Sequence, residues 1–418
     1  MEHDIHPDDA LNLILDHARS FTLPTETVPL EEALGRALPF TVSSLVDQPP
    51  FDKAAMDGYA FRRPAGVVSR TAAPYVVVDA TVAAGSHRPR PLLPGQAVRI
   101  MTGAPVPPET EAVWRLEWST PEGGRVRFRE REPTSNVIRR GENIGLGDPL
   151  VTPRLLMAQD LGILAASGYD RVDVSRRPTV ALLSTGGELR DPVARTQDPL
   201  AEEVVEKALG KAGIFDSNAP LLAARLRLAA ARPARLGIVP DDVERLVTAV
   251  GDALERHEIV VLTGGVSAGD FDHVPEVAAR LGVTGMFHRI RMRPGKPLFF
   301  GVREDRALFG LPGNPVSTFL TAELFLAPYL MVRAGIPTTP PTVEFTLARD
   351  VRRKGADTVA YLPAAVRWPE CVVDPLPYTG SSMVNVLATA DALIRLESGQ
   401  DFVSEGQPVR ALLIRHRV

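Results

Sequence analysis

At 418 residues the chain is too long for one ordinary core and divides into several domains. With 44% hydrophobic residues, 23% charged residues and a net charge of −4, it has the composition of a soluble globular protein. No basic stripe marks a nucleic-acid partner, and 6% aromatic residues argue against a base-stacking platform. Short basic clusters such as Arg139–Arg140 and Arg352–Arg353 read as solvated faces. The single cysteine, Cys371, excludes an internal disulfide and any cysteine-built metal site. The eight histidines show no metal-binding spacing, so a metal here would rest on carboxylates and phosphates, which favours magnesium. The N-terminus lacks the basic start and apolar core of a signal peptide, and no apolar run approaches the ~20 residues of a membrane span. The expectation is a cytoplasmic protein with no membrane partner.

In chain order, residues 7–19 have acids at the start and apolar residues at helical spacing, which predicts an amphipathic helix. A short second helix is predicted over Leu30–Ala37. Residues 51–140 change to short β runs broken by Pro and Gly, a separate β-rich domain. Residues 152–168 predict a helix with Thr152 as N-cap, Pro153 at its first position and Gly168 as its stop. Residues 1–50 and 141–176 together form a helical linker domain. Over 177–336 strands alternate with helices, the pattern of a parallel, doubly wound α/β sheet that binds ligands at the carboxyl ends of its strands. Residues 190–212 interrupt it as a surface insertion, and 337–418 form a C-terminal β domain, a barrel or a sandwich. The fold class is multidomain α/β.

The most informative stretch lies within the α/β unit. TGGVSAGDFD (263–272), RPGKP (293–297) and LPGNPVS (311–317) each follow an apolar run that reads as a buried strand. Such loops expose backbone N–H groups, and a helix N-terminus adds partial positive charge, so anions bind there. The first loop contributes Gly264, Gly265 and Ser267; the third contributes Pro312, Gly313, Asn314, Pro315 and Ser317, with Asn314 able to N-cap the helix that Pro315 begins. Ser184, Thr185 and Gly186 open a similar turn after TVALL, where a phosphate site and a simple turn read alike. On a strand, Arg289, Arg291 and Arg293 would line one face beside Lys296, a cationic edge for an oxyanion. Glu188, Asp241 and Asp272 stand at the same strand ends, with Asp241 equally suited to cap the next helix. Acids facing phosphates call for a bridging magnesium, held here by Asp241 and Asp272. FDKAAMDGYAF (51–61) and IMTGAPVP (100–107) are ordinary turns on physical grounds alone.

Taken in order, those motifs with RGENIG, STGGEL, FDSN and VPDD make the chain resemble the molybdopterin molybdenumtransferase family, MoeA and the gephyrin E-domain. The resemblance covers nearly the whole chain. It implies an elongated homodimer of four-domain, MoeA-like subunits with a C-terminal β-barrel-like domain. It also implies a magnesium-dependent reaction in which adenylylated molybdopterin and molybdate react, the phosphoanhydride is cleaved, molybdenum enters the dithiolene and AMP leaves. The adenylating enzyme and cofactor-accepting apoenzymes are the implied partners. By motif, Asp57 and Thr102 act on the partner subunit's α/β domain; Glu188, Asp241, Asp272, Arg289, Arg293 and Lys296 match the family site; Ser381 lies in a segment that lines the molybdate end. Asn143 replaces an acid, Gly187 replaces the acid before Glu188, Ala356 stands where an arginine is expected, and Asp391 replaces a common asparagine. Those departures keep two further readings open: a non-catalytic molybdopterin-binding scaffold, and the same chemistry with tungstate.

Overall fold

The computed structural model describes the chain apart from residues 79, 87–88, 130–133, 193–205, 207–208, 211, 267–271, 339, 354 and 416–418. At its centre is a seven-stranded sheet of β1 (Glu2–Ile5), β2 (Thr179–Thr185), β3 (Arg232–Val239), β4 (Ile259–Thr263), β5 (Thr284–Ile290), β6 (Phe299–Arg303) and β7 (Arg306–Leu311), in the order β1-β5-β6-β7-β4-β2-β3. Six strands run parallel and β6 runs antiparallel, so the wholly parallel expectation is corrected at one strand. A tight β6–β7 hairpin puts β6 in the sheet without a crossover helix, which forces that reversal. β4 is buried along its whole length, because helices cover both faces.

On one face lie α1 (Pro7–Ser20), α3 (Asn218–Leu228), α6 (Pro315–Thr321) and α7 (Ala327–Arg333), around a core including Ile14, Leu222, Phe309 and Tyr329. On the other lie α4 (Val243–Arg256) and α5 (Val274–Arg280), packed on Val260, Leu262 and Leu308. A π-helical turn, Ala322–Leu326, joins α6 to α7. The helical run Pro315–Arg333 is 19 residues long and apolar enough to span a membrane, contrary to the sequence reading. With 78% of its apolar window buried inside the protein, it serves as a core helix.

The first 20 residues do not belong to the linker. β1 pairs in parallel with β5, and α1 buries Ala10, Ile14, Leu15 and Ala18 in the α/β core. Nor is the linker mainly helical: Leu30–Glu32 is a single 3-10 turn, and short ladders such as Thr25–Pro29 with Arg171–Ser175 carry the rest. Its one α-helix, α2 (Ala158–Ala166), starts later than predicted. Arg154–Leu155 pairs as a strand, and the Asp160 side chain accepts from the Met157 N–H at 2.8 Å as the capping contact. Gly168, at φ +95°, stands at the predicted stop.

A six-stranded sheet between Gly58 and Phe128 forms the β-rich unit around Phe61, Tyr75, Trp114 and Phe128. At the C-terminus, Val359–Arg367, Val372–Pro375, Thr342–Leu347, Pro408–Leu413 and Ala392–Leu396 pair in that order. The last then pairs back with the first, which closes a barrel and leaves no free edge.

Candidate active site

Parallel strands bring β2, β4 and β7 to one rim at Thr185, Thr263 and Leu311. From β2 the chain moves outward to β3, then returns to β4 on the other side of β2, so the order reverses between β2 and β4. Ligands bind at such switch points. Beneath this one runs a buried polar chain. Thr263 Oγ1 donates to Ser184 Oγ at 3.2 Å, and Ser184 Oγ donates to Asp216 Oδ2 at 2.7 Å. Asp216 Oδ1 accepts the Asn218 and Ala219 N–H groups at 2.9 and 3.1 Å, capping α3. Asn218 Nδ2 donates to the Gly313 carbonyl at 2.7 Å. The ends of β2, β4 and β7 are thereby tied to one helix start. Asp216 and Asn218 were not assigned from sequence, although Asp-Ser-Asn before an apolar helix is a capping signature.

Ser184 and Thr185 do not offer their hydroxyls to a ligand. Both are buried; Ser184 is bonded to Asp216, and Thr185 Oγ1 donates to Asp241 Oδ1. The surfaces left for an anion are the glycine loops above them. Gly264, at φ +89°, lies so close to β2 that a Cβ would come within 2.4 Å of the Thr185 carbonyl oxygen. Gly313 and Asn314 are exposed, Pro312 and Ser317 are buried, and Gly265 is half-buried. Glu188 is exposed and folds back over Gly186, where a Cβ would sit 2.9 Å from its carboxylate. Ser267 lies outside the described residues.

Asp242, rather than Asp241, caps α4 by accepting from the Arg245 N–H at 3.0 Å. Asp241 is left exposed at the rim. Asp272 lies against β5, with a carboxylate oxygen 3.3 Å from His288 Nε2 on that strand. Burial raises the Asp272 carboxyl above its ordinary range and pushes His288 down. Asp272 Oδ1 is buried with no hydrogen-bond partner among the described residues. No group of three or more metal-ligating side chains forms among the described residues, so the expected Asp241–Asp272 pair makes no protein cage. A bridging magnesium would therefore have to take most of its ligands from the molecule it bridges to, with Asp241 as an exposed carboxylate and Asp272 Oδ1 as a buried, unpaired acceptor.

The predicted one-faced arginine row is absent. β5 ends at Ile290, Arg289 adopts φ +68°, and Met292–Arg293 pairs instead with the barrel strand Val359–Arg367. Period-two spacing holds only for continuous strand geometry, and the left-handed residue breaks it. Arg291 and Arg293 are exposed, Arg289 is half-buried, and Lys296 meets Asp4 at 3.3 Å.

A molybdopterin molybdenumtransferase from Bacillus subtilis (strain 168) is 33% identical over 403 residues, covering 94% of this chain and 90% of its own. This chain belongs to the molybdopterin molybdenumtransferase family. A second relative of that name, from Staphylococcus aureus (strain MRSA252), is 30% identical over 94% of this chain and 92% of its own. Family models match in the same order: the MoeA N-terminal region (domain I and II) over 5–168, a probable molybdopterin binding domain over 181–332, and the MoeA C-terminal region (domain IV) over 345–414. The crystal structure of a molybdopterin biosynthesis moeA protein from Pyrococcus horikoshii OT3 superposes with a TM-score of 0.80 at 26% identity, covering 98% of this chain and all of that one.

In this member of the molybdenumtransferase family the barrel also reaches the LPGN loop. Asn314 stands at the N-cap position of α6, but its side chain makes no cap bond; Nδ2 donates to Ser381 Oγ at 2.9 Å. The Ser381 carbonyl accepts the Val316 N–H at 3.1 Å and so satisfies a helix-start donor. The barrel's Ser381 segment is thus fastened to the LPGN loop. Ala356 leaves the expected arginine missing, and among its described neighbours Arg352 and Arg353 are engaged elsewhere. Arg353 is spent on the carbonyls of Thr358, Glu397 and Gln400, while Arg352 stacks on Phe402. Asp391 is buried inside the barrel, accepting the Val366 N–H at 3.0 Å, so it acts as a structural group there. Asn143 is exposed and its N–H donates to the Gln48 carbonyl.

Asp57 and Thr102 meet each other on the separate six-stranded unit. The Thr102 N–H and hydroxyl both donate to Asp57 Oδ1 at 2.7 Å, and these bonds hold the Asp57 carboxyl below its usual range. Gly58 is required beside them, since a Cβ there would fall 2.0 Å from the Trp114 carbonyl oxygen. The cores of this unit draw only on residues between Ala54 and Val137, so the pair belongs to a different body from the glycine loops.

Proposed function

We infer that this protein inserts molybdenum into molybdopterin in molybdenum cofactor biosynthesis. The observation that carries the reading is the set of glycine loops fixed at the β2/β4 switch point by the Thr263–Ser184–Asp216–Asn218 chain, with carboxylates at its rim. The full proposal takes adenylylated molybdopterin and molybdate as substrates and releases AMP. Breaking the phosphoanhydride builds negative charge on phosphate oxygens, which Arg289, Arg293 and Lys296 would offset. Magnesium, held by Asp241 or Asp272 together with substrate phosphates, would neutralise more of that charge. Asp57 and Thr102 act in trans in a homodimer, which accounts for their distance from the loops along the fold. A cytoplasmic location, exchange with an adenylating enzyme and delivery to cofactor-accepting apoenzymes complete the proposal.

The missing cation at Ala356 favours a second reading, a scaffold that binds molybdopterin without turning it over. Incubating the purified protein with adenylylated molybdopterin and magnesium, with molybdate and tungstate in competition, separates the readings. The enzyme releases AMP only with an oxyanion, and Asp272→Ala loses turnover while keeping pterin binding. Pterin binding by the wild type without AMP release under either oxyanion would establish the scaffold.

A further inference from the structure

The N-terminal strand reaches the same rim as the arginines. β1 pairs in parallel with β5 in the register Glu2↔Phe287, His3↔His288 and Ile5↔Ile290, which sets Asp4 level with Arg289. Both of these residues have left-handed backbones, at φ +50° and φ +68°. Neither is glycine, and arginine in particular is disfavoured there. Adjacent strain of this kind persists only where the surroundings impose it, and it collects at functional sites. Its anchors are on either side: the Arg289 N–H donates to the Leu298 carbonyl and the Arg291 N–H to the Ile5 carbonyl, both at 2.8 Å.

The double kink turns the Asp4 carboxylate onto Lys296, 3.3 Å away. It also brings the His3 ring edge-on to His288, with centroids 5.9 Å apart, beside Asp272. Lys296 keeps 56% of its side chain exposed and Asp4 46%. A pair this open is weak, so a phosphate with more charge and more acceptor oxygens displaces the carboxylate readily. The strand itself need not leave, because Ile5 is buried in the core and the β1–β5 ladder persists.

We propose that Asp4 is a built-in stand-in for a ligand phosphate: its carboxylate occupies Lys296 at the rim until a phosphoryl group of the incoming ligand replaces it. The proposal rests on the reading of Lys296 as an anion-binding residue of the molybdenumtransferase site. Aspartate suits the role because it tolerates a left-handed backbone and carries one negative charge on a short stem.

AMP and inorganic pyrophosphate are the probes, titrated into the full chain by calorimetry at low ionic strength. Asp4→Asn removes the charge and keeps a residue suited to φ > 0, and Asp4→Gly does the same without a side chain; thermal melts check that both fold. Each variant is expected to bind the probes about two- to fivefold more tightly than wild type, with the gain shrinking as salt is added. Lys296→Ala is expected to weaken binding and to erase the gain when combined with Asp4→Asn. If both Asp4 variants bind as wild type or more weakly while Lys296→Ala loses affinity, the stand-in is wrong and the role of Lys296 stands. If Lys296→Ala binds as wild type, the stand-in and the assignment of Lys296 fall together. Oxyanion-dependent AMP release by the wild type then judges the broader function separately.

Discussion

Asp216 carries more of the site than any residue legible as catalytic. One carboxylate joins the Ser184 hydroxyl to the first two amides of α3, and it is buried. Asp216→Ala removes a helix cap and leaves Ser184 without its acceptor, so we predict a loss of about 2–3 kcal/mol, read as a lower urea midpoint. Unchanged stability would show that the network is incidental. The sequence held the relevant signal in FDSN, but nothing local tells a capping aspartate that supports a binding loop from any other cap. Along the sequence, a phosphate site and a simple turn read alike at Ser184 and Thr185. Their position after a strand suggested ligand donors, yet Asp216 and Asp241, 32 and 56 residues further along the chain, claim both hydroxyls.

At the scale of elements, strands and their glycine loops were legible where the pattern was local. IVVLTGG becomes β4 and its turn, and LPGNP leads into α6 at Pro315. β5 was misread because a single left-handed arginine ends its alternation, and only the β1 and β6 ladders on either side hold that conformation. The Gly264 turn is the sharpest steric demand among these loops. Gly264→Ala combines a positive φ with a 2.4 Å approach to the Thr185 carbonyl oxygen, so a destabilisation of about 2–4 kcal/mol is expected. Chemical denaturation measures it, and nucleotide binding should weaken in parallel because the loop shifts away from β2. A variant with wild-type stability would mean that the turn relaxes freely.

The whole molecule depends on joints that no single motif announces. One links the linker to the α/β sheet: Arg176 grips both oxygens of Glu258 at 2.8 and 3.1 Å, and the Thr179 N–H adds a bond at 2.9 Å. Burial alone would raise the Glu258 carboxyl, but these donors outweigh it and the net shift is downward. A depressed carboxylate stabilises the fold above its unfolded pKa of about 4.3, and that contribution disappears as pH falls through the lower folded value. Glu258→Gln should therefore cost about 1–2 kcal/mol at neutral pH, with the gap to wild type closing below about pH 4. Thermal melts from pH 3 to pH 7 test this, and a gap independent of pH would assign the loss to packing instead.

Sequence by itself determined the order of units, the alternating α/β core, the β character of both flanking regions and the family, because periodicity, glycine turns and motif order are written along the chain. It also located the glycine loops at the strand ends, since a strand, a glycine pair and a helix start lie within a dozen residues of one another. Tertiary structure alone decided that residues 2–20 join the α/β sheet, which strands pair to close the barrel that the family resemblance implied, and which acids stay exposed at the strand-end rim. Each of those outcomes depends on pairing between segments that are not neighbours in the chain, from the barrel-closing pair to the β1–β5 ladder, or on competition for one buried hydrogen bond. Such choices are settled by which contacts bury the most surface and leave the fewest polar groups unsatisfied, and that sum exists only once the chain has folded.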